Sequence, residues 1–391
     1  MFDALSPLVR KVALVVATSA LALSTAVTPA SGAPGYGRAE LQRDLDAIRE
    51  TGVVGVQAQV TTDRRRIHAR SGTAVLGTPR PVPYGGHFRI GSNTKTFIAT
   101  VILQLTAEKR LSLEDPVDRW LPGVVRGNGN DGRRITVRQL LQHTSGLPNY
   151  TDGMAKDFLD ERAFLQQRHR TYTPAGLVAL ALRHEPLFPP GSGHSYSNTN
   201  FLLAGMIVER VTGESWRSQV HRRIIAPLGM RHTSTPGLAA SLPSPHAEGY
   251  TREKATGRLF NSTEHYPSWA ESAGEMISTT EDLTTFWRAL LGHRLLPPAQ
   301  LRTMLTTVPA DRPGEEAGLG IFRHRLSCGG WYYAHSGGTP GYITNNGVTA
   351  DGRVSVVISS STLTEHQDAR AEAAVDHALC ALRGGADRAG G

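Results

Sequence analysis

Residues 92–105 read Ser92-Asn93-Thr94-Lys95-Thr96-Phe97-Ile98-Ala99-Thr100-Val101-Ile102-Leu103-Gln104-Leu105. From residue 94 to 109 the apolar side chains Phe97, Ile98, Val101, Ile102 and Leu105 recur at helical spacing, which predicts a helix burying one face in the core. Ser92 stands at its N-terminal end and Lys95 follows three residues later, so hydroxyl and ammonium share a helix face. A serine is a poor nucleophile until a neighbouring base takes its proton. Lysine can do so once burial or nearby positive charge lowers its pKa. The helix N-terminus adds N–H groups that favour developing negative charge. Alone, the same four residues read more simply as an N-cap serine with a solvated lysine.

Working outward, residues 38–50 carry Leu41, Leu45 and Ile48 on one helical face, and Gly52 ends that helix. Residues 53–60 read as a strand and 77–86 as a Pro- and Gly-rich loop. Residues 113–294 are dominated by helical patterns and polar loops, with helices at 137–142, 175–182, 200–211 and 280–291. Strand patterns return at 331–335, 342–348 and 354–360, and 369–382 reads as a closing helix. Neither end has enough strands alone, so the two share one sheet. The expected division is a sheet part from 34–112 and 295–383, a mostly helical insertion at 113–294, and a flexible tail at 384–391.

The chain has 391 residues and a formal net charge of +8. Its basic residues are spread along the sequence without an aromatic-interleaved basic helix, which argues against nucleic-acid binding. A basic surface suits a polyanionic cell envelope, or simply solubility. Arg10 and Lys11 precede an uncharged stretch at 12–27 followed by small residues, the pattern of a secretory signal peptide over 1–33 with cleavage after Ala30 or Ala33. No later segment is long and apolar enough to span a bilayer. The expectation is a secreted, extracellular protein, wall-associated if its charge holds it there. Cys328 and Cys380 are the two cysteines, and export predicts that they pair, with two free buried thiols as the alternative. Closing that loop stabilises the fold by roughly 4 kcal/mol in the chain-entropy account.

Two more constellations carry chemistry. Tyr196-Ser197-Asn198 lies in a Gly- and Ser-rich loop at 190–200. Tyr196 can exchange a proton with Ser92 or a leaving group if Lys95 stabilises its phenolate, and Asn198 can hydrogen-bond a substrate amide. His335-Ser336-Gly337-Gly338 ends a strand, where glycines let a substrate backbone approach closely. The N–H groups of Gly338 and Ser92 can then form an oxyanion hole, each donor being worth about 3 kcal/mol. Taken singly, these are a capped turn and a strand end.

Together, in this order and at these separations, the three motifs resemble those of the penicillin-recognising serine enzymes. The resemblance is strongest to the exported D-alanyl-D-alanine carboxypeptidases of actinomycetes, relatives of the class C β-lactamases. It runs from about Gly91 to Cys380 and takes in residues 135–147, 196–211, 268–274 and 326–329. It implies an α/β (α+β) fold, an antiparallel sheet flanked by helices with the site beside a helical domain. Ser92 would be the nucleophile, Lys95 its partner, Tyr196 the proton carrier and Asn198 a substrate-amide ligand. His335, where such β-lactamases usually carry Lys, would orient Tyr196 electrostatically. Ser336, Gly337 and Gly338 would line the substrate path, and Trp269 would wall the cleft or else pack in the core. No metal or cofactor is implied.

Two departures bear on substrate. The carboxypeptidases carry a carboxylate-gripping arginine in the strand after Gly-Leu-Gly; here Phe322 stands first and Arg323 second, on opposite strand faces. Gly338 replaces a hydroxyl residue. The resemblance implies a monomeric D-alanyl-D-alanine carboxypeptidase acting on peptidoglycan stem peptides, with β-lactams as acylating inhibitors. The departures motivate an esterase or amidase of the same fold as an alternative, with a β-lactamase, and a non-catalytic penicillin or wall-fragment binder, behind it.

Overall fold

The computed structural model describes residues 36–364 and 367–386. The expected signal peptide and residues 387–391 lie outside the described residues. Helix α1 (Arg38–Arg49) begins where the Glu40 carboxylate accepts the Gly37 N–H at 2.9 Å, and it buries Leu41, Leu45 and Ile48 as its spacing predicts. Strands β1 (Gly55–Thr61) and β2 (Arg66–Gly72) form a hairpin. The sheet is completed late in the chain by β3 (Val308–Pro309), β4 (Glu315–Ala317), β5 (Phe322–Arg325), β6 (Trp331–Ala334), β7 (Gly337–Thr339), β8 (Tyr342–Thr349) and β9 (Ser355–Ser360).

The nine strands run in the order β2-β1-β9-β8-β6-β5-β4-β3, with β7 following β6 along the same edge of β8. Every pairing is antiparallel. The register Val56↔Ser360 to Thr61↔Ser355 joins the two ends of the chain. Helices α1 and α5 (Gln367–Ala386) cover one face, packing Leu45, Ile48, Val375 and Leu379 against Val56 and Ile358. The Cys328–Cys380 disulfide ties the β5–β6 turn to α5. That helix reaches Ala386, so residues 384–386 of the expected tail are helical.

On the other face lies α4 (Thr280–Leu291); α2 (Asn93–Ala107) packs on α3 (Asn198–Thr212), and its Phe97 meets α4. Helix α2 buries nearly its whole circumference, not one face, because α3 and the helical segments at 216–220, 271–273 and 298–304 all pack on it. Two of its buried hydroxyls are satisfied by backbone carbonyls: Thr96 Oγ1 donates across to Gly320 O at 2.7 Å and Thr100 Oγ1 within the helix to Thr96 O at 2.8 Å. Helix α4 packs on β1 and β9, and Phe286 stacks on Phe97 at 3.7 Å. It belongs with the sheet, which corrects the expected boundary at 294. Among the described residues no helix is long and apolar enough to cross a membrane.

Candidate active site

Ser92 is the N-cap of α2, half-exposed at the floor of a cleft of about 330 Å³. Gly91 adopts φ +52, and a Cβ there would sit 2.7 Å from Gly338 N. The nucleophile turn and strand β7 therefore touch backbone to backbone. Between β6 and β7 the ladder is interrupted, and Asn346 fills the gap. It accepts the His335 N–H at 3.2 Å, while its Nδ2 donates to His335 O at 2.8 Å and Asn93 Oδ1 at 2.6 Å. That interruption aims His335 and Gly338 at the same cleft as Ser92.

Lys95 Nζ lies 2.9 Å from Ser92 Oγ and donates to Asn198 Oδ1 at 2.7 Å and Ala273 O at 2.7 Å. The lysine is fully buried, and among the described residues no carboxylate pairs with it. Burial holds its pKa well below the ordinary lysine value. A neutral amine has two hydrogens and one lone pair. Asn198 Oδ1 and Ala273 O can only accept, so they take the two hydrogens and leave the lone pair towards the Ser92 hydroxyl. That is the geometry a proton acceptor needs.

The carbonyl of Ala273 is held by a braced turn. Glu271, strained at φ +44, accepts from Trp216 Nε1 at 2.9 Å and Arg217 at 2.8 Å, and Arg217 also reaches Glu275 at 2.6 Å. His143 sets the Tyr196 loop in the same way. It accepts the Ser195 N–H on its carbonyl at 3.0 Å and the Ser197 N–H on Nδ1 at 3.2 Å, and its ring stacks on Tyr196 at 4.4 Å.

Tyr196 hydrogen-bonds Ser92, and Lys95 Nζ lies 5.0 Å from its ring centre. Burial pushes the phenol pKa up, and the Ser92 hydrogen bond only partly opposes it. The condition of a Lys95-stabilised phenolate is not met: burial favours the neutral phenol, a donor. Burial pushes the His335 pKa down to about 3, so the ring is neutral and acts on Tyr196 only as a dipole. Its Nδ1 lies 2.7 Å from Ser336 O, which can only accept, so Nδ1 carries the hydrogen.

Asn198, expected to meet a substrate amide, has its carbonyl on Lys95 and donates to Thr151 Oγ1 at 3.1 Å, leaving one amide hydrogen. Among the described residues the Ser92 N–H has no acceptor, as an oxyanion donor requires. Two expected ligands are not brought in. Arg323 pairs with Glu316 and stacks on Trp331 at 4.3 Å, on the strand face opposite Phe322, which lines the cleft. Trp269 lines a separate narrow pocket, against Phe158 at 4.6 Å.

A model of the beta-lactamase family matches residues 39–381. The chain belongs to the beta-lactamase family. As a member it is similar to a D-stereospecific amidohydrolase from Streptomyces sp., at 42% identity and a TM-score of 0.82, over 87% of this chain and 98% of that one. The D-amino acid amidase from Ochrobactrum anthropi SV3, solved with L-phenylalanine amide, matches at 29% identity and 0.77, over 89% and 98%. Penicillin-binding protein 4* of Bacillus subtilis (strain 168) is 30% identical over 291 residues, 71% of this chain; the chain spans 61% of that relative's length. In this beta-lactamase-family chain the sequence motifs identify Ser92, Tyr196 and His335 on the cleft wall and Lys95 buried against Ser92. They do not give His194, Asp311, Arg312 or Glu315, which also line the cleft. Among the described residues no three His, Cys, Asp or Glu side chains gather as a metal site.

Proposed function

We propose that this chain is a serine amidohydrolase that takes the acyl group of a D-aminoacyl amide onto Ser92 and passes it to water. The observation that carries the reading is Lys95, buried without a carboxylate and turned by Asn198 and Ala273 so that its lone pair meets the Ser92 hydroxyl. Lys95 removes the Ser92 proton as Oγ attacks the substrate carbonyl. The oxyanion lies between the Ser92 and Gly338 N–H groups. Tyr196 gives its phenolic proton to the departing amine, is reprotonated by the Lys95 ammonium, and the acyl-enzyme is then open to water.

The amide leaving group is favoured over a terminal carboxylate by three residues. Phe322 stands where a cation would be needed, Arg323 is paired with Glu316, and Gly338 lacks a hydroxyl. Arg312, on the cleft wall, favours D-alanyl-D-alanine carboxypeptidase action on stem peptides as a second reading. Cys328–Cys380 and the Arg10–Lys11 leader pattern support export.

The test is intact mass after benzylpenicillin, run beside Ser92→Ala, with turnover of D-phenylalaninamide and of a D-alanyl-D-alanine peptide. The expected result is one adduct on the wild type alone, amide turnover above peptide turnover, and a loss of about 10⁴-fold or more in Ser92→Ala. Undiminished hydrolysis by Ser92→Ala overturns the reading, and faster peptide release selects the second one.

A further inference from the structure

The cleft above Ser92 holds an unanswered acceptor. With the His335 Nδ1 hydrogen on Ser336 O, Nε2 carries a lone pair. The residue is 2% exposed, lines the cleft, and among the described residues its Nε2 has no partner. A buried acceptor left unpaired is costly, so the ligand that completes this cleft brings a hydrogen-bond donor.

The opposite wall asks for the same chemistry. Asp311 and Glu315 both line the cleft. Asp311 accepts the Tyr196 backbone N–H at 3.3 Å and lies 3.1 Å from His194 Nδ1. Arg312 stands 3.8 Å from Glu315 and 3.0 Å from Glu372, so its charge is shared with a carboxylate outside the cleft. Burial raises the pKa of Glu315; Arg312 opposes the rise, and Glu372 and Asp311 add to it. The carboxyl is short of positive charge. A substrate carboxylate would meet like charge here, whereas an ammonium supplies donors and the missing cation at once.

Resting on the amidohydrolase reading, we propose that this cleft selects substrates bearing a protonated primary amine, received by the Asp311 and Glu315 carboxylates in the space they share with His335 Nε2. Asp311 and Glu315 are then specificity-determining residues. The amine can belong to the acyl part or to the leaving part of the substrate.

Three anilides separate these sources: D-alanine p-nitroanilide with a free amine, N-acetyl-D-alanine p-nitroanilide with none, and N-acetyl-D-alanine 4-(aminomethyl)anilide with the amine on the leaving side. One of the charged anilides should exceed the uncharged one in kcat/KM by about tenfold or more, the range of a charge-assisted hydrogen bond. Asp311→Asn and Glu315→Gln should collapse that ratio mainly through KM, with folded sites counted by penicillin titration. Which anilide gains identifies the source. Equal kcat/KM for all three, or a parallel loss on all three in the variants, overturns the proposal while the hydrolase reading stands. Calorimetry of D-alaninamide with Ser92→Ala reads the amine site without turnover. Binding there that Asp311→Asn and Glu315→Gln weaken about tenfold supports the site even if no anilide is cleaved, and no binding overturns it.

Discussion

Lys95 is ringed by oxygens that accept and by none that carries full charge, and this makes its basicity sensitive to a single atom. Asn198→Asp replaces the acceptor 2.7 Å from Nζ with a carboxylate of nearly the same shape. An opposite charge at that distance favours the ammonium and raises the lysine pKa by about one to three pH units. The proton acceptor then becomes available only at higher pH. The acid limb of kcat/KM should move towards alkaline pH by that amount, with a loss of about 10- to 1000-fold at neutral pH. A pH–rate profile checks this; an acid limb that stays put in Asn198→Asp shows that Lys95 is not the base.

At the scale of elements, strand β7 is fitted to the nucleophile turn by one glycine and open at the next. A Cβ on Gly337 would fall 2.0 Å from Ile90 O and 3.0 Å from Asn93 Nδ2. On Gly338 it would meet only Ile343 Cδ1, at 3.2 Å. Gly337→Ala should therefore push the strand off the turn, costing about 1–3 kcal/mol and lowering kcat, while Gly338→Ala costs less. Urea denaturation and steady-state rates on both variants test this, and equal costs would contradict the packing described.

The contrast also explains what the sequence made legible. Ser92 with Lys95, Tyr196 with Asn198 and His335 with Gly338 are each close in the chain, and together, in that order, they carry the family resemblance that implies their roles. The β2 strand was missed although Ile67, Ala69 and Ser71 alternate with Arg66, His68 and Arg70, because four charged or polar residues obscure a period of two. Asp311 joins the site across 115 residues, through closure of the sheet edge, and nothing local announces that. Trp269 and Arg323 lie in the right segments, but a segment does not say which way a side chain turns.

Across the whole molecule, a set of imidazoles is folded in the neutral form. Burial lowers the pKa of His143, His265, His324 and His335, to about 4 for His324 and about 3 for His335. Above pH 6.5 both folded and unfolded chains hold these rings neutral, and nothing is lost. As pH falls below 6.5 the unfolded chain takes up protons that the folded one refuses, so stability declines towards the folded pKa values, by at most about 1.4 kcal/mol per pH unit for each ring. Glu275 acts in the opposite sense. Burial, against the pull of Arg217, pushes it up to about 7, so the folded state gains a proton over the same range and offsets about one imidazole. His265 isolates the effect, since it lies away from Ser92 with Nδ1 3.1 Å from Ser262 O and Nε2 without a partner among the described residues. His265→Gln removes one titrating ring and keeps an amide in its place. Urea unfolding at pH 7 and pH 4.5 should show the variant losing about 2–3 kcal/mol less than the wild type across that interval. If the two stability curves run parallel, His265 titrates in the folded protein as it does in the unfolded chain and its burial carries no proton linkage.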